Sequence, residues 1–340
     1  MKNDLVKIVG LKLLILVVLA SNSVVAAPSN YATTRYPIAA ATGFTGATKM
    51  LGVVDYWYGV ERALSRSGND WFYVPLISAA AGEDIRVTQF EKAVEAILME
   101  TNTDKVHLLG HSQGGFTVRA YAALHPDKVA SLTTIGTPHR GADAAMLIWE
   151  LNLVLEDYAP WIRDSLLWVV NSVMWANGKL NGEDLEQDSY GALYLLTPQG
   201  AIDFANQVSG FGFNPDCNEQ AETRATGVIN DGQGNTLNYD FPIFSWTGRR
   251  SPTSLFASGE NLFDPLAYSF SLSHKALKWF SGEENDGVVS VCSAAFGKVL
   301  ANNYRWDHFD EVNHLFGLTS GPDPRTVIVN HMNRLKNLGL

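Results

Sequence analysis

The sequence has few cysteines and no excess of cationic side chains. Its 340 residues include only Cys217 and Cys292, which excludes a multi-disulfide scaffold and a four-cysteine zinc site but allows one bridge. Its 25 lysines and arginines face 35 aspartates and glutamates, so the net charge is −10. Because no basic excess is available to neutralise a phosphate backbone, we expect no nucleic-acid partner.

Internal repeats and low-complexity linkers are also missing, which favours one elaborated domain over two. The hydrophobic fraction of 46% excludes an intrinsically disordered chain and is sufficient for a large core. After the N-terminal segment, no uninterrupted apolar run approaches the roughly 18 residues of a membrane span. We therefore expect no transmembrane segment in the mature chain.

Residues 1–26 have the pattern of a secretory signal peptide. Three lysines precede an apolar run over residues 13–19, and small residues follow as far as Ala26. The run is shorter than the ~20 residues of a spanning helix, although a membrane anchor or a buried helix is the alternative. We place cleavage after Ala26, which leaves residues 27–340 as one domain. Export to an oxidising compartment would favour a bridge between the two cysteines.

Short apolar runs alternate with helical patterns along the chain. Helices are predicted over residues 88–101 and 114–125, the first from a clear 3.6-residue apolar period. The strands are predicted from continuous, β-rich runs typical of a parallel sheet buried on both faces, over residues 36–41, 71–77, 105–109, 131–135 and 241–246. Strands alternating with helices predict an α/β fold, mostly parallel, with helices on both faces.

Residues 142–175 depart from this pattern because they are apolar on more than one helical stripe. The segment contains four of the nine tryptophans, and Pro160 divides it into two predicted helices. Such helices either pack permanently on the core as a cap or lie against an apolar partner. We favour a mobile lid over an apolar site.

Residues 110–114 form a Gly-x-Ser-x-Gly motif around Ser112. The motif lies between a predicted strand and a predicted helix, as in the nucleophile elbow of α/β-hydrolases. Ser112 would then adopt a strained positive φ, and side chains at Gly110 and Gly114 would collide across the turn. Gly115 would let the helix approach the sheet closely. We therefore predict Ser112 as a nucleophile.

A serine hydroxyl needs a base, and in this fold the acid and then the histidine follow the serine along the chain. The histidines after Ser112 are His125, His139, His274, His308, His314 and His331. The first two come too early for this order. Asp286 and His308, both in predicted loops, are the preferred acid and base, whereas His314 and His331 stay open.

Several longer motifs occur in a fixed order, over residues 53–59, 109–115, 136–141, 285–289, 303–305 and 308–313. Through them the chain, from about Tyr36 onwards, resembles the secreted, foldase-dependent family I triacylglycerol lipases of Gram-negative bacteria, typified by the Pseudomonas and Burkholderia enzymes. The resemblance implies an α/β-hydrolase fold and hydrolysis of acylglycerol esters at a lipid–water interface. It also implies export through the periplasm and a membrane-anchored steric chaperone, the foldase.

The resemblance implies a role for each matching residue. Ser112 would be the nucleophile, Asp286 the orienting acid and His308 the general base. The backbone N–H groups of Phe44 and Gln113 would form the oxyanion hole that stabilises the tetrahedral intermediate. The family's single disulfide matches Cys217 and Cys292, and its lid matches roughly residues 153–179.

The resemblance further implies one structural calcium ion. The carboxylates of Asp264 and Asp310 and the carbonyl oxygens of His314 and Leu318 would bind it, and calcium prefers such hard oxygen ligands. Asp310 lies two residues after His308, so the ion would hold the loop that bears the base. A zinc site made from His308, Asp310 and His314 is the alternative.

One position departs from the family. The family usually has a histidine and a glycine before the oxyanion residue, whereas this sequence has Thr42 and Gly43. Threonine has a shorter reach than histidine, which predicts a looser oxyanion loop and an altered substrate preference. The alternatives to a lipase are a carboxylesterase or polyester hydrolase with the same triad, and a non-catalytic binding protein. The apolar lid argues against the first alternative, and the intact triad argues against the second.

Overall fold

The computed structural model describes residues 30–340 apart from 45, 51, 183, 209–211, 214–215, 218–220, 231–235, 250–264, 318 and 320. The predicted signal peptide therefore lies outside the described residues, as do Asp264 and Leu318. Within the described part of the chain, no helix has the length and apolarity needed to cross a bilayer.

A mixed sheet forms the centre of the molecule. Its strands are β1 (Ile38–Ala41), β4 (Phe72–Tyr73), β5 (Val106–His111), β6 (Val129–Ile135), β7 (Arg224–Asn230), β8 (Thr236–Gly248) and β9 (Lys298–Tyr304). Neighbouring strands are parallel in the order β4-β1-β5-β6-β8-β9. β7 pairs antiparallel with β8 as a ribbon. A separate antiparallel hairpin consists of β2 (Lys49–Met50) and β3 (Val54–Asp55).

Helices cover both faces of this sheet. They are α1 (Val60–Arg66), α2 (Glu83–Thr101), α3 (Gly114–Leu124), α4 (Asp143–Tyr158), α5 (Pro160–Leu180), α6 (Ser189–Leu195), α7 (Pro198–Gln207), α8 (Pro265–Ser281), α9 (Val291–Ala294), α10 (His314–Gly317) and α11 (Pro324–Asn337). Alternate residues of β1 point to opposite faces, so Ala39 and Ala41 join a core with α2 and α3. Ile38 and Ala40 join a second core with α1 and α11. This two-sided burial explains the continuous apolar runs and confirms the predicted α/β fold.

One strand prediction differs from the structure, and one ribbon was not predicted. The run over residues 71–77 forms a strand only at Phe72–Tyr73, because Pro75 has no N–H to donate to a neighbouring strand. The antiparallel ribbon of β7 and the first part of β8 was not predicted. Its side chains alternate between exposed and more buried positions, so it lacks a continuous apolar run.

The apolar segment forms α4 and α5, and Pro160 occupies the first turn of α5 as the sequence predicts. Many of its apolar side chains face solvent, including Trp161 at 72% exposure and Trp168 at 68%. Helices packed permanently on the core would bury such side chains, so this exposure favours a lid over a fixed cap. Elsewhere, Cys217 and Cys292 form the predicted disulfide.

Candidate active site

Ser112 lies at the sharp turn between β5 and α3. It has a φ of 55°, in the left-handed region that residues other than glycine rarely adopt. A Cβ atom at Gly110 would lie 2.5 Å from the Gly114 carbonyl oxygen, and one at Gly114 would lie 2.5 Å from that of Ala41. The turn therefore closes only with glycine at both positions, and the predicted elbow geometry is present.

Ser112, His308 and Asp286 are brought together in one hydrogen-bonded line. His308 Nε2 lies 2.9 Å from Ser112 Oγ, and His308 Nδ1 lies 2.7 Å from Asp286 Oδ2. The other carboxylate oxygen of Asp286 accepts hydrogen bonds from the N–H groups of Val288 and Val289 at 2.8 and 2.7 Å. These bonds hold the carboxylate in place and aim it at the imidazole.

His331, which the sequence left open as a base, lies elsewhere. Its Nε2 is 2.9 Å from Thr133 Oγ1, and its Nδ1 accepts from Arg334. His314 packs its ring against Tyr56 and Phe309. His308 is thus the histidine that the structure places at Ser112.

Charge around His308 favours its protonated form. Burial lowers the pKa of His308, but the charge and hydrogen bond of Asp286, together with the charges of Glu311 and Asp307, raise the pKa above its ordinary value. The neighbouring His111 ring has its centroid 4.7 Å from that of His308. Burial and the charge of His308 hold the pKa of His111 well below its ordinary value, so His111 stays neutral.

The end of β1 lies directly against the nucleophile. A Cβ at Gly43 would come 2.6 Å from Ser112 Cβ, which requires glycine at this position. The Thr42 hydroxyl donates to the Gly46 carbonyl at 2.7 Å, and the Thr42 carbonyl accepts from Arg86 Nη2 at 2.5 Å. The assignment of the Phe44 and Gln113 N–H groups to an oxyanion hole stays a prediction.

The residues suggested for a metal are only partly described. Asp310 is buried in a short 3-10 turn just after His308, and its Oδ2 accepts from the N–H of Asp307 at 2.9 Å. This hard oxygen donor suits calcium. The zinc alternative conflicts with the structure, because both ring nitrogens of His308 are already committed to Asp286 and Ser112.

Among the described residues, His111, His308 and Glu311 are buried with their potential ligand atoms within 4.8 Å of one another, but the same two bonds of His308 argue against a metal there as well. Glu311 accepts from the Thr247 hydroxyl at 3.0 Å. No role was predicted from the sequence for His111, which is a variable position of the Gly-x-Ser-x-Gly motif, or for Glu311, which lies in the motif over residues 308–313. The fold brings the two side chains together from positions far apart in the sequence.

Comparison with known proteins places this geometry in context. A family model described as the alpha/beta hydrolase fold matches residues 42–312. The triacylglycerol lipase of Burkholderia plantarii is 33% identical, over 95% of this chain and 92% of the relative. The triacylglycerol lipase of Vibrio cholerae is 34% identical, over 91% of this chain and 90% of the relative.

Two solved structures have the same fold. The mature form of the Bacillus licheniformis lipase BlEst2 has a TM-score of 0.52 at 17% identity, covering 88% of this chain and 91% of that structure. EstA from Clostridium botulinum has a TM-score of 0.54 at 17% identity, covering 94% and 90%.

Proposed function

The chain belongs to the α/β-hydrolase family and, within it, to the bacterial triacylglycerol lipases, and from that premise we propose that it hydrolyses acylglycerol esters through an acyl-enzyme on Ser112. The observation that carries this proposal is the hydrogen-bonded line of Ser112, His308 and Asp286 at a strand–helix elbow. A non-catalytic binding protein would not require a strained serine aligned with a histidine and an aspartate.

The mechanism follows from these contacts. Ser112 Oγ attacks the ester carbonyl while His308 Nε2 takes its proton, and Asp286 orients the imidazole and stabilises its charge. The N–H groups of Phe44 and Gln113 stabilise the oxyanion of the tetrahedral intermediate. His308 then protonates the leaving alcohol. Water, deprotonated by His308, finally releases the fatty acid from Ser112.

The exposed apolar surface of α4 and α5 supports a lipase over a hydrolase of short soluble esters. Contiguous apolar patches of this kind mark contact with lipid or with another apolar partner. We take residues 153–179 as the lid, within the single catalytic domain 27–340, and an acylglycerol surface as its partner.

We further propose a structural calcium ion held by Asp264, Asp310 and the carbonyl oxygens of His314 and Leu318. When bound, the ion supplies positive charge that fixes the loop after His308, and it takes no part in the ester chemistry. The buried Asp310 carboxylate supports this assignment.

Residues 1–26 would direct export, and the mature enzyme would be extracellular after passing through the periplasm with the help of a foldase. N-terminal sequencing of the secreted enzyme should then begin at Ala27. Refolding from denaturant without the chaperone should yield little activity, and full activity regained by the chain alone would contradict foldase dependence.

The decisive test compares wild type, Ser112→Ala and the exposed-serine control Ser65→Ala on triolein emulsion, on tributyrin and on p-nitrophenyl esters of increasing length. We expect wild type and the control to hydrolyse both triglycerides and to react with a fluorophosphonate probe, and Ser112→Ala to do neither. Activity confined to short soluble esters would instead indicate a carboxylesterase. Failure of the folded wild type to react with the probe would indicate a binding protein.

A further inference from the structure

A line of buried hydrogen bonds joins the end of β1 to the loop that carries His308. The N–H of Gly43 donates to Tyr56 Oη at 2.9 Å. Tyr56 Oη lies 2.6 Å from His111 Nδ1, and His111 Nε2 lies 2.9 Å from the carbonyl oxygen of His308. Tyr56, His111 and His308 are all almost inaccessible to solvent.

The groups at the two ends fix the direction of every bond. An amide N–H only donates and a carbonyl only accepts. The Tyr56 hydroxyl therefore accepts from Gly43 and gives its own proton to His111 Nδ1. The other ring nitrogen, Nε2, then carries the proton of the neutral imidazole and donates it to His308. One arrangement of protons satisfies all three bonds.

Packing leaves this line little room to rearrange. A Cβ at Gly46 would lie 2.4 Å from the Tyr56 ring, so the loop after β1 rests directly on that ring. The His111 ring in turn lies against the His308 ring, and His111 immediately precedes Ser112. Tyr56 and His111 thus contact the segment after β1 and the loop that carries His308, and these hydrogen bonds go to neither Ser112 Oγ nor the ring nitrogens of His308.

We propose that Tyr56 and His111 are positioning residues. They hold the segment after β1, which bears the proposed oxyanion residue Phe44, and the loop that carries His308 at fixed positions relative to Ser112. The inference rests on the proposed function, because it assigns these bonds a purpose in the same site. A preorganised oxyanion hole stabilises the transition state more than the bound ester, and misplacement by about 1 Å can cost a hundredfold in rate. Loss of the line should therefore lower kcat and leave KM nearly unchanged.

The first experiment uses Tyr56→Phe, which removes one oxygen and retains the ring. With p-nitrophenyl butyrate we expect kcat to fall about ten- to a hundredfold and KM to change less than twofold. Affinity for an alkyl boronic acid, which forms a tetrahedral adduct on the serine, should fall in parallel with kcat. The matched control is Tyr121→Phe, because the buried Tyr121 hydroxyl has no hydrogen-bond partner among the described residues. It should leave kcat and KM unchanged.

A folded Tyr56→Phe with wild-type kcat and boronic-acid affinity would overturn the proposal, as would a change in KM alone. These results count only while Ser112→Ala abolishes hydrolysis and labelling. Activity retained by Ser112→Ala would instead overturn the proposed function itself, so the two failures are distinguishable.

The second measurement needs no variant at Tyr56. It therefore tests the hydrogen bond from Tyr56 to His111 even if Tyr56→Phe does not fold. The ¹⁵N chemical shifts of His111 in wild type, assigned by comparison with His111→Asn, report which ring nitrogen carries the proton. We expect a neutral ring protonated at Nε2 alone. Protonation at Nδ1 would show that Tyr56 does not donate to His111, and the proposed line would fail.

Discussion

The side chain of Asn181 is hydrogen-bonded to both main-chain groups of Lys49. The Lys49 N–H donates to Asn181 Oδ1, and Asn181 Nδ2 donates to the Lys49 carbonyl, each at 2.9 Å. Asn181 immediately follows α5, and Lys49 begins the hairpin that ends just before Tyr56. The C-terminal end of the proposed lid is therefore tied to the hairpin that precedes Tyr56.

Asn181→Ala should loosen the lid. It removes the two bonds to Lys49 and a third to Thr48 Oγ1 at 2.8 Å, each worth roughly 0.5–1.5 kcal/mol net. We expect faster proteolysis within residues 143–180, measured by mass spectrometry, with a small fall in melting temperature. Asn337→Ala, which alters an exposed amide at the other end of the chain, is the control. Equal cleavage rates in both variants would contradict the anchoring role.

The pH dependence of the enzyme should follow His308. The base must be neutral to act, and its pKa is raised because Asp286, Glu311 and Asp307 together outweigh the lowering by burial. The acid limb of kcat/KM should therefore have its midpoint above the ordinary histidine value of about 6.5. Asp286→Asn should move that midpoint to lower pH and reduce kcat by roughly 10³–10⁴-fold. His125→Gln, away from the site, should leave the midpoint unchanged, and a midpoint that does not move in Asp286→Asn would contradict this assignment.

The raised pKa of His308 should make the folded enzyme less stable as pH rises. Because the pKa of His308 is higher in the folded state, the folded state binds its proton more tightly than the unfolded chain does. This contribution is complete below about pH 6.5 and is lost as pH rises through the folded pKa. Melting temperatures across that window should fall less in Asp286→Asn than in wild type.

The sequence predicted the central strands and the elbow because both depend on local rules. Continuous apolar runs indicated β1, β5 and β6, and the glycines around Ser112 indicated a closed turn. The order of acid and base along the chain set aside His125 and His139, and the predicted loops favoured Asp286 and His308. His314 and His331 stayed open as bases.

Other features depend on distances that no spacing in the sequence reveals. The contact of Tyr56 with Gly43 and His111, and that of Asn181 with Lys49, join segments far apart in the chain. Both contacts depend on the position of the β2–β3 hairpin relative to the sheet and to the end of α5. The ribbon of β7 and the first part of β8 was missed for a different reason. Exposed and more buried side chains alternate along it, so it has no continuous apolar run.

Removing calcium should destabilise the enzyme. A ligand that binds only the folded state adds about 2.7 kcal/mol at a concentration a hundredfold above its Kd. We expect EDTA to lower the melting temperature and the activity of wild type, and added Ca²⁺ to restore both. Asp310→Asn should lose this response, whereas the exposed Asp104→Asn should retain it. A wild-type melting temperature that is unchanged in EDTA would contradict the calcium assignment.

Thr42 should hold the loop after β1 through its hydroxyl, despite its shorter reach. That hydroxyl donates to the Gly46 carbonyl at 2.7 Å within a buried turn, where the Gly46 N–H also donates to the Gly43 carbonyl at 3.0 Å. Thr42→Val has nearly the same shape but leaves the carbonyl unpaired, at a cost of about 1–3 kcal/mol. Thr42→Ser keeps the donor and loses only a methyl group.

We expect Thr42→Val to lower both the melting temperature and kcat on p-nitrophenyl butyrate, with little change in KM. The reason is that the loop carries Phe44 of the proposed oxyanion hole, which acts on the transition state rather than on binding of the acyl chain. Thr42→Ser should stay close to wild type in kcat. If Thr42→Ser loses kcat and Thr42→Val does not, the methyl packing and not the hydrogen bond holds the loop. If neither loses it, the bonds of Arg86 to the Thr42 carbonyl and of the Gly43 N–H to Tyr56 hold the loop without the Thr42 side chain.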